Sequence, residues 1–255
     1  MCRRALSKYE QLVGSDHIFT TNCIGNLALT LHYRGQLVES EIMSRRVLTA
    51  REEALGDHHV DTLQSISNLA VLLREQGRYK EAEGLDRQAL AGFEKVFGKD
   101  HTKTLSSASS LASTLKGQGE YADAEIIYRR VLAGSEKLLG DEHPEIFVDA
   151  NNLALVLQIQ GKYNEAEGLY RRVVVGCESA IKKEHPDHMT YCSNLASLLM
   201  DKGQFREAES LYRQVHERRE KVLRPDHPST LTSANTLSVV LRQQKKYEEA
   251  EALSR

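Results

Sequence analysis

The chain has 255 residues, 27% of them charged and 40% apolar, and a formal net charge of -2, a composition that excludes a disordered or membrane-embedded class and points to no polyanion as partner. No run approaches the roughly 18 apolar residues of a spanning helix, and the start MCRRALSKYE lacks the apolar stretch of a secretory leader, so a cytoplasmic setting away from membranes is expected. Cys2, Cys23, Cys177 and Cys192 have no CxxC spacing and read as reduced thiols, while abundant Ala, Leu, Glu, Arg and Gln with few prolines and no tryptophan predict an all-α chain.

In chain order, residues 1–14 read as the back part of a helix, because CRRALSKYEQLVG aligns with YRRVLAGSEKLLG from position 128. Helix pairs are then predicted over 15–56, 57–98, 99–140, 141–182 and 183–224, and 225–255 supply one helix and the beginning of another. The pairs repeat at 42 residues. A turn column reads Gly35, Gly77, Gly119, Gly161, Gly203 and Lys245, and a glutamate column reads Glu41, Glu83, Glu125, Glu167, Glu209 and Glu251. Self-similarity at a fixed period of this length is the signature of a solenoid. The whole chain is expected to form one such array, an excerpt of a longer one, since neither end resembles a polar capping helix.

Within one pair, residues 60–76 carry Leu63, Ile66, Leu69, Ala70 and Leu73 at helical spacing, and residues 79–97 carry Tyr79, Ala82, Leu85, Ala89, Leu90 and Phe97. Gly77 and Gly98 fit the left-handed position that closes a helix, and the short connection forces the two helices antiparallel. The next pair opens on a recurring His-Pro, at His143-Pro144, His185-Pro186 and His227-Pro228, with Glu142, Glu184 and Asp226 just ahead. Proline at the first helical position forfeits no intrahelical bond, and an acidic neighbour suits the positive end of the helix dipole. Histidine recurs there as His17, His59, His101, His143, His185 and His227, one per repeat, as a cap or an inter-repeat bond requires.

An arginine column, Arg3, Arg45, Arg87, Arg129, Arg171, Arg213 and Arg255, follows the glutamates by four residues wherever both are present. Glu before Arg at that spacing pairs favourably on a helix surface, so the column is assigned to a solvated flank of the second helix rather than to a phosphate track, and no nucleic acid is expected as partner.

The phrases NNLALVLQIQGKYNEAEGLYRRVV (151–174) and SNLASLLMDKGQFREAESLYRQV (193–215), with the linkers LGDEHP (139–144) and RPDHP (224–228), resemble tetratricopeptide repeats of the 42-residue kinesin light chain subtype. Within that subtype, HPSTLTSANTLSVVLRQQKKYEEAEAL (227–253) is most similar to the repeat arrays ending fungal and bacterial sensor proteins of the NB-ARC or NACHT kind. The resemblance implies a right-handed α-solenoid of antiparallel helix pairs. Departures from the pattern are Leu37 and Ser40 in the first repeat, Ser110 and Thr236 in the asparagine column, and Lys182 and Lys245 at glycine positions.

Such a solenoid exposes the first helix of each pair on its concave wall, which suits an extended or helical partner segment. Positions of that helix not used for packing supply Asn22 and Gln64 in one column, Ser67, Ser109, Asn151, Ser193 and Asn235 in a second, and Arg74, Lys116, Gln158 and Arg242 in a mildly basic third, beside His32 and Met200. Short polar side chains let a peptide backbone approach, and the basic rim suits a ligand of some acidic character. Asn26, Asn68, Asn152 and Asn194 form a neighbouring column that is either a structural amide ladder or, as the kinesin light chain resemblance implies, a contact to cargo.

His58, His59 and Asp61, or His185, Asp187 and His188, have metal-ligand chemistry, but these residues vary between repeats, which argues against a metal. No phosphate loop, nucleophile elbow or HExxH occurs, so no catalytic residue and no cofactor is expected. The function expected is a non-enzymatic protein- or peptide-binding module, the sensor or partner-recognition array of a larger signalling protein. A kinesin light chain-type cargo adaptor and a scaffold that self-associates through its array ends are the alternatives.

Overall fold

A computed structural model describes residues 2–15, 17–141, 143–180 and 185–253, with side chains placed from residue 4 to 179 and from 185 to 253 except at positions 16 and 142. Every element is a helix among the described residues: α1 (Cys2–Val13), α2 (Ile18–Tyr33), α3 (Leu37–Leu55), α4 (Val60–Glu75), α5 (Tyr79–Phe97), α6 (Thr102–Gln118), α7 (Tyr121–Leu139), α8 (Pro144–Ile159), α9 (Tyr163–Ala180), α10 (Pro186–Asp201), α11 (Phe205–Leu223), α12 (Pro228–Gln243) and α13 (Tyr247–Ala252). They gather into two compact units, Met1–Leu138 and Leu139–Arg255. In each unit a leading helix packs on the trailing helix that follows it, and that trailing helix packs on the next leading helix. The leading-trailing pairs α2/α3, α4/α5, α6/α7, α8/α9 and α10/α11 are repeats 1 to 5. Glu142, Glu184 and Lys182, and the side chains of Cys2, Arg3 and Arg255, lie outside the described residues.

Each leading helix starts the same way. The Nδ1 of His17, His59, His101, His143, His185 or His227 accepts the backbone N–H two residues on, at 3.1 to 3.3 Å. An imidazole thus does the work that Ser, Thr or Asp usually do at a helix start, satisfying one of four amides that have no intrahelical acceptor. Pro144, Pro186 and Pro228 follow directly in the first turn.

Leading helices end the same way too. The residue after the turn position donates its N–H to a leucine carbonyl five residues back, as in Arg78 to Leu73 (2.9 Å) and Lys162 to Leu157 (2.9 Å). That closure needs a positive φ at the turn, 76° at Gly77. Lys245 takes the same turn at φ 62°. The linker column after the trailing helix behaves differently from the left-handed cap the sequence suggests. Gly98 has φ 86° but ψ 170°, because the chain leaves extended toward the next histidine cap. Arg224 is forced into the same region (φ 78°, ψ 153°), which only glycine enters freely and which costs other residues of order 1–3 kcal/mol.

The core is leucine and alanine. Leu63, Ile66, Leu69, Ala70 and Leu73 of α4 are 0 to 1% exposed, and Ala82 and Ala89 of α5 face them. Tyr79, Leu85, Leu90 and Phe97 are only half-buried, whereas Asp86, Gly92 and Phe93 lie inside. Phe97 serves the joint between repeats by stacking on His101 with ring centroids 4.3 Å apart. Ser40, where the repeats that follow have alanine, is 2% exposed and donates to the Ala28 carbonyl at 2.8 Å. Cys23, Cys177 and Cys192 are free thiols, and burial pushes Cys177 and Cys192 up to about 11, so neither is a thiolate nucleophile at neutral pH.

Candidate functional site

The leading helices present the candidate residues in two sets, α2, α4 and α6 in the first unit and α8, α10 and α12 in the second. None of the named positions is buried. The outermost column is the most open: Asn22, Gln64, Ser106, Val148, Thr190 and Thr232 are all exposed. The column of Ser67, Ser109, Asn151 and Ser193 is half-buried, and Asn235 is exposed. The hydroxyls of Ser67 and Ser193 donate back to their own helix, to Leu63 and Met189 carbonyls at 3.1 and 2.8 Å, so they are tied locally rather than to another element.

The asparagine column splits. Asn26 and Asn68 are exposed, and Asn68 Oδ1 accepts from Gln64 Nε2 at 3.1 Å. Asn152 and Asn194 are half-buried, and Asn194 Nδ2 donates to Asn151 Oδ1 at 2.8 Å, linking α10 to α8. A side-chain amide therefore bridges neighbouring leading helices in the second unit.

The basic column is spent mainly on packing. Arg74 Nη1 reaches from α4 to the carbonyl and hydroxyl of Ser110 (3.2 Å each) and to Thr114 Oγ1 (3.3 Å) on α6. Those two hydroxyls donate to the carboxylate of Asp86, a fully buried acid, at 2.9 and 2.6 Å. Burial raises the Asp86 carboxyl, and the bonds from Thr114 and Ser110 and the charge of Arg74 oppose that rise. Gln158 Nε2 donates to Asp201 at 2.7 Å, and His32 pairs with Glu75, each again on the next leading helix. Lys116 is half-buried, and burial followed by repulsion from Arg74 holds its ammonium below the usual lysine range. Arg242 is the exposed cation of the set.

The arginine column does pair within its helix: Arg45–Glu41, Arg87–Glu83, Arg129–Glu125, Arg171–Glu167 and Arg213–Glu209 stand at 2.6 to 2.9 Å. The expected solvated flank holds for the arginines, 38 to 61% exposed, but not for the glutamates, at 10 to 22%. Four of those carboxylates sit at the seam between repeats and also receive Arg78 (2.7 Å, to Glu41), Gln118 (2.9 Å, to Glu83), Lys202 (to Glu167) and Lys246 (2.7 Å, to Glu209) from the turn region of the repeat that follows. Burial alone would raise Glu41 and Glu209, but the bonds from Arg78 and Arg45, and from Lys246 and Arg213, prevail and hold both below the ordinary range. Gln118 with Arg87, and Lys202 with Arg171, lower Glu83 and Glu167.

A depressed carboxyl contributes stability that is complete above its unfolded value and is lost as pH falls through its folded one. Glu52 and Asp86, both raised by burial, act in the opposite sense. With these four glutamates and Glu81, which the bond from Arg78 lowers, set against the two raised groups, Tm is expected to hold from pH 7 to about 5 and to fall progressively below about pH 4.5. The control is Glu209→Gln, which should lower Tm at pH 7 and flatten its decline on acidification; a variant with the natural acid profile would exclude the seam as its source.

The histidine-acid sets do not assemble. His59 and His185 are committed to capping, His188 is 2% exposed with Cys192 Sγ at 3.6 Å and Arg218 at 3.2 Å from its Nδ1, and no metal-holding group of three occurs among the described residues. No helix is long and apolar enough to cross a membrane among the described residues. Sequence reasoning missed one feature: a cavity of about 390 Å³ among α2, α3 and α4, lined by Asn22, Asn26, Leu29, His32, Ser44, Arg51 and Asn68 among others. Its signal was a broken column, because Ser44 stands where Tyr128, Tyr170 and Tyr212 recur.

Similar proteins agree on the architecture. The nearly identical TPR-like repeats of a candidate kinesin light chain from Podosopora anserina, in the crystal structure of a variant with a single substitution, are 30% identical, with 75% of this chain and 90% of that one covered and a TM-score of 0.68. BtubC (BKLC) from P. vanneervenii is 20% identical over 86% of this chain and 85% of its own, with a TM-score of 0.69. NprR, solved with its cognate peptide NprX, is 15% identical over 97% of this chain and 67% of its own at a TM-score of 0.63. The last two likenesses show the fold alone. No curated protein matches the sequence. The tetratricopeptide repeat profile matches residues 24–95, 61–137, 104–179 and 188–255, and with helix pairs of the kind it describes along the described residues, the chain belongs to the tetratricopeptide repeat family.

Proposed function

We propose that the chain is a non-enzymatic binding module whose leading helices receive an extended or helical segment of a protein partner, and that it serves as the partner-recognition array of a larger signalling protein. One observation carries the reading: the outermost column of the leading helices, Asn22, Gln64, Ser106, Val148, Thr190 and Thr232, is exposed at every member, while Arg74, Gln158 and His32 are tied to the next leading helix. Within each unit these exposed side chains, short and polar apart from Gln64 and Val148, offer donors and acceptors to a main chain and ask little of its sequence. NprR, which shares the fold, was solved with a peptide bound. The acidic preference of the ligand rests on Lys116 and Arg242, since Arg74 is engaged with Ser110 and Thr114.

The sensor context is supported by the C-terminal phrase quoted above. A cargo-adaptor role is supported by the 30% identity to the Podosopora anserina repeats. The test is selection from displayed random peptides, followed by fluorescence polarisation with the peptides recovered. Ser106→Trp and Thr190→Trp place bulk on the exposed column without touching the core, so each is expected to leave Tm within about 1 °C and to weaken binding at least about tenfold. Asn152→Leu separates structure from contact: lost binding at full stability assigns the amide to the ligand. Peptides that bind both tryptophan variants as well as the natural chain would refute the groove.

A further inference from the structure

Tyrosines of the trailing helices, Tyr128, Tyr170 and Tyr212, are 0%, 0% and 6% exposed in repeats 3, 4 and 5. Each ring lies against its own leading helix. The hydroxyl of Tyr128 meets Ser113 Oγ at 2.7 Å, that of Tyr170 donates to Gln158 Oε1 at 3.1 Å, and that of Tyr212 bonds Ser197. Shifted back by whole repeats, Ser113 and Ser197 become Leu29 and Gln158 becomes His32. Repeat 2 uses a different filling, Asp86 with Arg74, Ser110 and Thr114. Repeat 1 has Ser44 in the tyrosine column, and there Leu29 and His32 line an open cavity of about 390 Å³.

We propose that this cavity is a binding site for a phenol ring, supplied by a tyrosine side chain of a partner peptide. The occupant follows from the chain itself, which closes the equivalent space in three repeats with that group. The volume falls within the range of about 300–1,000 Å³ of ligand pockets and exceeds what one ring needs, leaving room for adjoining main chain. Leu29, Val47 and Leu72 supply apolar wall for the ring. A buried phenol needs a partner for its hydroxyl, and polar groups stand around the space: His32, the exposed amides of Asn26 and Asn68, and Arg51. Arg51 donates through Nη1 to the Asp61 carbonyl and Ser65 Oγ and through Nη2 to Asn22 Oδ1, while its buried Nε–H has no acceptor among the described residues. An unsatisfied buried donor beside a cavity is a cost that a ligand oxygen relieves.

The peptide attachment rests on the groove reading; the ring site does not, and the experiment keeps them apart. The natural chain, Ser44→Tyr and Ser44→Ala are titrated with 4-methylphenol, the tyrosine side chain as a free molecule, and with toluene, following NMR shifts. Saturable binding of 4-methylphenol is expected, with shifts at His32 and Asn68 and contacts from ring protons to the Leu29 and Leu72 methyl groups. Toluene should bind about fivefold more weakly for want of the hydroxyl bond. Ser44→Ala should retain binding, and Ser44→Tyr, which refills the space, should weaken it at least about tenfold. No saturable binding to the natural chain, methyl contacts elsewhere, or unchanged affinity in a folded Ser44→Tyr would overturn the site. Should Ser44→Tyr not fold, the methyl contacts in the natural chain decide the matter. Failure here leaves the groove to its own test with Ser106→Trp and Thr190→Trp, neither of which lines the cavity.

Discussion

Tyr170→Ser is expected to destabilise the second unit by about 3–5 kcal/mol, the range for removing a large buried aromatic. The ring is fully buried between α9 and α8, and its hydroxyl donates to Gln158. Serine is too short to reach that amide, so the variant loses ring packing and one hydrogen bond together. Tyr170→Phe separates the two and should cost only about 1 kcal/mol, because Gln158 keeps its bond to Asp201. Hydrogen exchange in α8 and α9, alongside the urea midpoint, reports the loss where it occurs, since neighbouring repeats need not unfold together. A cost below about 1 kcal/mol for Tyr170→Ser would mean that α8 and α9 collapse onto the space, and it would remove the ground for treating the first repeat's opening as a persistent cavity.

Gly176→Leu is expected to cost about 3 kcal/mol or more, and Gly176→Ala about 1–2. A Cβ on Gly176 would stand 2.5 Å from Cε1 and 2.9 Å from Cζ of Phe147, whose ring is 1% exposed on α8. Alanine brings about 1 kcal/mol of helix propensity, but overpacking a filled core costs about 1–3 kcal/mol, and a rigid ring yields less than a flexible chain end. The close approach recurs in repeats 2, 3 and 4, whereas repeats 1 and 5 have Ala50 and Arg218 at that position. Gly92 meets Leu63 and Gly134 meets Leu105 in the same way, at 2.2 and 2.9 Å for the nearest carbons. Urea denaturation reads the outcome, and a Gly176→Ala chain as stable as the natural one would show that Phe147 swings aside at little cost.

Much of the architecture was legible because backbone geometry writes directly into residue type. Glycine at the turn, histidine and proline at the helix start and leucine at helical spacing each answer a local demand, and α4 and α5 fall within a residue of the stretches read from the sequence as 60–76 and 79–97. Side-chain destinations were less legible. Glu before Arg at four residues looks the same on an open flank and at a seam, so the burial of Glu209 depends on the following repeat, which the pair itself does not encode. Arg74 read as a rim cation because nothing in its own helix announces the buried Asp86 that draws it to α6. The cavity was written in a column, as Ser44 against three tyrosines, but a missing side chain announces itself only once the ring's place is known.

The histidine cap and the glutamate seam also bear on how such an array changes length. Each 42-residue block brings its own helix start, its own turn and a carboxylate ready for whichever block comes next. Unequal recombination between two blocks would therefore keep every helix start and turn intact and exchange only the partner of the seam carboxylate, which is Arg78, Gln118, Lys202 or Lys246 at different joints.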